Sequence, residues 1–114
     1  MTILYNMQDK NCIFCQITAK KIPTEIIKET DTLLIFKDKN PSAPTHWLIV
    51  PKEHINDLTD LSNDLLIQIK DEALLLAKVH SFSGFRLSNN FGTTAMIPHL
   101  HFHFLAGIDK TRKI

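Results

Sequence analysis

The sequence predicts an α+β domain: a five-stranded antiparallel sheet packed with one long helix and a short N-terminal helix. Two observations carry that reading. Short runs of strand formers, bounded by proline, asparagine and aspartate, lie on both sides of one long amphipathic stretch, so strands and helix are segregated along the chain. Near the C-terminus, His99-Leu-His101-Phe-His103-Phe alternates imidazoles with large apolar side chains, the period of a strand with one buried face.

Taken in order, residues 1–11 are an N-terminal extension without pattern, and residues 12–114 make a single domain. Residues 12–21 read as a short helix that ends at Ile22-Pro23, because a residue before proline avoids the helical region. Residues 25–29 and 32–37 are two short strands, with Thr30-Asp31 suggesting a hairpin although no glycine is present. Residues 38–44 hold Asn40, Pro41, Ser42 and Pro44 and form a loop. A third strand spans 46–50 and Pro51 stops it. The long helix covers 61–80, with Ser62 or Asn63 as its cap and Asp64 favouring the dipole in the first turn. Its apolar stripe is expected at Leu66, Ile69, Ala73, Leu76 and His80, and His80 ends the helix where an imidazole suits the dipole. A fourth strand spans 84–88, a Gly-Thr-Thr loop follows, and the histidine strand is the fifth.

Composition narrows function by exclusion. A formal net charge of +1 makes no electrostatic case for a nucleic-acid or membrane partner. No apolar run approaches the ~20 residues of a membrane span. The first ten residues lack the positive start and apolar core of a signal peptide, so a cytoplasmic chain is expected. The basic tail at Lys110, Arg112 and Lys113 reads as a solvated end. Cys12 and Cys15 sit too close together for a disulfide framework. In the cytosol that spacing points to metal or redox chemistry, with plain buried cysteines as the other reading.

On a strand the three imidazoles share one face, starting about 6.7 Å apart, while Leu100, Phe102 and Phe104 point to the other. Imidazole exchanges its proton near neutral pH and is a nucleophile when neutral, so this face can supply nucleophile, base and acid together. A metal-binding strand is the rival use of the same pattern.

The segments Cys12-Ile-Phe-Cys15, Ile22-Pro23, Phe36-Lys-Asp38, Pro44-Thr-His46, Pro51-Lys-Glu-His54 and His99-Leu-His-Phe-His103, in that order, resemble the histidine triad (HIT) family. The resemblance is to its small nucleoside phosphoramidases and their zinc-bearing bacterial relatives, and it runs from about Cys12 to Gly107. It implies a purine nucleotide substrate attacked at the α-phosphorus by His101, a nucleotidyl-histidine intermediate, and release of the mononucleotide by water. His103 then contacts the phosphoryl group, and His46 orients or polarises the other imidazoles. Asp38 matches the ribose-binding aspartate, and Asn90 an asparagine near ribose and phosphate. Ile13, Phe14, Ile17, Phe36 and Leu48 match the base slot, although Ile17 and Leu48 read equally well as core. The resemblance also implies a homodimer paired through the long helix and a sheet edge. No cofactor is required for the chemistry, but a structural zinc is expected on Cys12, Cys15, His54 and His99, which would remove His99 from acid–base work.

One stretch departs from the family. Relatives carry Gly-Gln-Ser-Val shortly before the first histidine, where this chain has Ala95-Met96-Ile97-Pro98. A methionine donates nothing to a phosphate oxygen, so Thr93, Thr94 or backbone amides must substitute. That departure sustains a second reading, a nucleotide-binding or scaffold protein with weak or no turnover. A catalytic metal strand in a small barrel is a third, opposed by the long helix and by only three glycines. The C-terminus is short, so specificity contacts from a tail reaching into a partner's site are not expected.

Overall fold

The computed structural model describes residues 11–113, so the extension expected over 1–11 lies almost wholly outside the described residues. Helix α1 (Ile13–Thr18) is capped by Cys12, whose Sγ accepts the Cys15 N–H at 3.3 Å. It is shorter than expected because Lys20 turns to φ 62°, and its N–H closes back on the Ile17 carbonyl before Pro23 can act.

Strands β1 (Ile26–Glu29), β2 (Leu33–Lys37), β3 (Thr45–Pro51), β4 (Phe85–Ser88) and β5 (Phe102–Ala106) form one sheet in the order β1-β2-β3-β5-β4. Every pairing is antiparallel. The β1–β2 turn manages without glycine because the Thr30 hydroxyl accepts the N–H groups of Thr32 and Leu33. The sheet is covered on both faces. On one, Leu33, Ile35, Trp47, Ile49, Phe102 and Phe104 pack with helix α2 (Asn63–Val79). On the other, Leu34, Phe36, Leu48 and Val50 pack with Phe14, Ile17 and the cysteines of α1. The α+β reading holds, and the two faces separate core from site.

Ser62 caps α2 by accepting the Leu65 N–H. The buried stripe is Leu65, Ile69, Ala73 and Leu76, which corrects the expected Leu66: that side chain is 42% exposed. A four-residue step back from Ile69 turns only about 40° from the stripe, a three-residue step about 60°. His80 is the C-cap, its ring edge-on to Trp47 and stacked on Phe82.

The histidine strand begins later than the alternation implied. The last pair between β3 and β5 is Ile49–Phe102, so His99, in a bend, and His101 lie outside the ladder. There the Leu100 N–H bonds the Ile55 carbonyl at 2.6 Å, tying this stretch to the segment after β3. Beyond β5, Gly107 takes φ 78°; a Cβ there would meet Pro44 Cβ at 2.9 Å, so the strand end presses on the 38–44 loop. Among the described residues no helix is long and apolar enough to cross a membrane.

Candidate active site and metal centre

Alternation along residues 99–104 works as expected. Leu100, Phe102 and Phe104 enter the α2-side core, while Phe14 of α1 lies edge-on to both His99 and His101. The His101 and His103 rings are 5.1 Å apart, as are those of His103 and His46. His46, His99 and His101 are buried, and His103 is half-buried.

Hydrogen bonds fix the tautomers of these four rings. A carbonyl only accepts, so His101 Nδ1, 2.8 Å from the His99 carbonyl, carries its proton and donates it. Nε2 of His101 is left with a lone pair. His46 Nδ1 accepts the Ser42 N–H at 2.9 Å, so its proton sits on Nε2. That proton faces His103 Nδ1 at 2.9 Å and Asp38 Oδ2 at 3.3 Å. His103 therefore accepts at Nδ1 and carries its proton on Nε2, an atom buried without a hydrogen-bond partner among the described residues. The result is a relay from the Ser42 amide through His46 to a donor on His103, beside an imidazole with a free lone pair.

Burial also favours the neutral rings. His103 is pushed down to about 4, chiefly by burial, then by the nearby His101 and His46 rings. His46 is lowered by burial against an opposing pull from Asp38. A neutral nitrogen keeps its lone pair for attack or for accepting a proton.

Two residues toward the N-terminus the chemistry changes. Cys12 and Cys15 Sγ and the Nδ1 atoms of His54 and His99 lie within 4.8 Å of one another. Cys12 Sγ is 3.3 Å from His99 Nδ1, and Cys15 Sγ is 3.0 Å from His54 Nδ1 and 3.5 Å from His99 Nδ1. The edges of a zinc tetrahedron with thiolate and imidazole ligands are about 3.3–3.8 Å, so the donor set fits a closed site with little adjustment. The rings are already oriented. His99 donates from Nε2 to the Pro51 carbonyl at 2.8 Å, and His54 from Nε2 to Asn56 Oδ1 at 2.8 Å, leaving both Nδ1 lone pairs facing the sulfurs. Burial holds His99 down at about 4, so it is a neutral ligand at pH 7.

Most expected residues come together. Phe14, Ile17, Phe36 and Leu48 are buried in one cluster beside the histidines, while Ile13 is 45% exposed at the rim. Asp38 reaches His46 and accepts the Asn40 N–H. Asn90 is exposed and lines a cavity with His46 and His103. In the stretch before His99, the Thr94 hydroxyl bonds the Phe91 carbonyl and Met96 is 93% exposed. Sequence reasoning missed Asn89, whose amide donates to the His101 carbonyl at 2.9 Å and steadies that residue's backbone. It also missed Asn56, although the spacing His54-x-Asn56 was there to suggest an orienting partner.

Comparison with known proteins agrees with this geometry. Residues 11–113 match the family model described as scavenger mRNA decapping enzyme C-term binding. Protein HitA of Neisseria gonorrhoeae is 36% identical over 101 residues, covering 83% of this chain and 94% of that protein. The adenosine 5'-monophosphoramidase HINT3 of Mus musculus is 32% identical over 108 residues, covering 88% of this chain and 66% of its own. A histidine triad protein from Clostridium difficile superposes with a TM-score of 0.88 at 37% identity, covering 95% of this chain and all of that one.

Proposed function

Because the chain belongs to the histidine triad family, we propose that it is a nucleotide hydrolase or transferase acting through His101 on the α-phosphate of purine nucleotide conjugates. The observation that carries this reading is the tautomer of His101. The bond from Nδ1 to the His99 carbonyl leaves Nε2 as a lone-pair nucleophile that needs no deprotonation. Nε2 attacks the α-phosphorus, a P–N bond forms, and the leaving group departs with the electron pair of the broken bond. Water then attacks the nucleotidyl-histidine and releases the mononucleotide. His103 Nε2–H, poised by His46, donates to a phosphoryl oxygen as charge builds there. Asp38 accepts from the ribose, and the Phe14, Phe36 and Leu48 cluster with Ile13 receives the base. The mouse relative is a monophosphoramidase by name, which makes an adenosine phosphoramidate the first substrate to try.

Cys12, Cys15, His54 and His99 would hold a zinc ion whose contribution is structural: a closed four-ligand set pins α1 and the start of the histidine stretch together. Free thiols at this centre suit a reducing, cytoplasmic compartment. A homodimer fits the outer side of α2, where Leu66, Ile67, Leu74, Leu75 and Val79 are all exposed.

A second reading, nucleotide binding without efficient turnover, is favoured by Met96 standing where a phosphate donor is expected. Hydrolysis of adenosine 5'-phosphoramidate by the intact protein and by His101→Ala separates them. AMP release that depends on His101 supports the enzyme. Binding of AMP with no release supports the second reading.

A further inference from the structure

Cys12 and Cys15 are the only cysteines of the chain, so a disulfide within it can join no other residues. Cys12 Sγ accepts the Cys15 N–H at 3.3 Å, which turns both sulfurs into the first turn of α1, within 4.8 Å of each other. Residues three apart on a helical turn have Cβ atoms about 5–6 Å apart, and a disulfide spans about 3.5–4.5 Å. Cys12 stands before the helix at φ −94° and ψ 117°, so it can close that gap by giving up its capping contact.

Buried thiols are usually inert, but this pair has an approach from outside. Cys12 lines a cavity of about 340 Å³ together with Ile13, His54, Asn56, Ile97 and Pro98. Ile13, Asn56 and Pro98 are exposed, so the cavity leads from solvent to the Cys12 sulfur. Cys15 is sealed behind it, 1% exposed. One sulfur can therefore meet a small oxidant, and the other waits within the same turn.

We propose that Cys12 and Cys15 form a reversible modification site, at which hydrogen peroxide makes a disulfide at the expense of zinc. Cys12 Sγ attacks a peroxide oxygen, the O–O bond breaks, and water leaves with the thiol proton. Cys12 is then a sulfenic acid. Cys15 Sγ displaces its oxygen, which departs as a second water with the Cys15 proton, and the S–S bond forms. Two thiols lose two electrons and the peroxide gains them; from thiolates, the two protons come from solvent. With both sulfurs in one bond, the nitrogens of His54 and His99 are all that is left of the four donors, too few for a closed zinc site.

The change reaches the reacting histidine by a short route. Phe14 lies between the two cysteines in sequence, and its ring is edge-on to His101 with centroids 4.9 Å apart. Redrawing the turn moves that ring, and a displacement of about 1 Å at a reacting group can cost a hundredfold in rate. This last link alone rests on the nucleotidyl-transfer reading above.

The test treats the zinc-loaded full chain with hydrogen peroxide and follows three readouts. They are the mass of the denatured chain, zinc released to a chromogenic chelator, and AMP formed from adenosine 5'-phosphoramidate. The chain should become lighter by two hydrogens, with one zinc released per disulfide, and AMP formation should fall by about tenfold or more. Reduction by dithiothreitol followed by added zinc should restore all three. An unchanged mass, added oxygen atoms that reduction does not remove, a disulfide between two chains, or a disulfide with zinc retained overturns the proposal. So does undiminished AMP formation by the disulfide form. If the untreated protein forms no AMP, the transfer reading fails, and mass and zinc alone decide for or against the disulfide. An untreated protein that holds no zinc overturns the metal centre and this proposal together.

Discussion

His99 and His101 sit two residues apart just before β5, and their surroundings make them different reagents. Around His99 the available nitrogen meets two buried sulfurs and the half-buried imidazole of His54. Around His101 no thiol stands beside the ring, and His103 and His46 form a chain of donors alongside. Residue type is the same at both positions, and both precede the β5 ladder. What differs is what α1 lays against each ring: the Cys12 and Cys15 sulfurs face His99, while only the edge of Phe14 reaches His101. The comparison teaches that a histidine's job is decided by where its second nitrogen is tied and by what covers the first.

The largest effect should come from removing the open nitrogen. His101→Ala is expected to lower kcat/KM on adenosine 5'-phosphoramidate by about 10⁴-fold or more, as loss of a nucleophile does elsewhere. Circular dichroism and AMP binding should stay close to normal. Residual turnover near the intact rate would erase the distinction between the two ends of the strand.

At the closed end the loss should appear in stability first. Cys15→Ser is expected to abolish stoichiometric zinc, measured by mass spectrometry under native conditions, and to lower Tm by about 10 °C. A chelator should produce the same drop in the intact protein and little further change in the variant. If His101→Ala also released the metal, the division of labour drawn here would be wrong.

His46 sharpens the comparison from the open end. His46→Ala removes the hydrogen bond that turns the His103 proton toward the site, so kcat should fall by about tenfold to a hundredfold while zinc content is unchanged. A change confined to KM would place His46 in binding rather than in the relay.

The smallest effect is on pH. His99 and His103 are held down at about 4 in the folded chain against 6.5 as the ordinary value. Between those values the unfolded chain binds more protons, so stability is full above about 6.5 and declines as the pH falls toward 4. Tm measured at pH 5 should therefore be below that at pH 7. His103→Asn should remove part of that slope and leave the part due to His99.

Much of this was legible in the chain. Alternation alone separated the histidine face from Leu100, Phe102 and Phe104, because a strand has one period and one pleat. The cap of α2 was readable as Ser62 or Asn63 because few residues accept from a helix N-terminus, and the structure takes Ser62. The phase of α2 was not, since Leu65 and Leu66 are identical side chains and only their angle to Ile69 separates them. Asn89 escaped notice for another reason. Its partner is the backbone carbonyl of His101, and a carbonyl leaves no mark in a sequence. The C-terminal segment escaped too: read as a solvated end, it lies against the Ser42 loop through a bond from Arg112 to the Ser42 carbonyl.

The way the rings are anchored bears on how freely this protein can change. His101 is held by the His99 carbonyl, His99 by the Pro51 carbonyl and His46 by the Ser42 amide. Every amino acid has a carbonyl, and every one except proline an amide hydrogen. Substitutions at positions 42 and 51 that keep the backbone path therefore leave these three rings aimed as before. The aim of His101 is insulated from side-chain drift, and a lineage can rewrite much of its surface without turning that ring. His54 and His103 are held differently, through the side chains of Asn56 and His46, and there a single replacement would be felt at once.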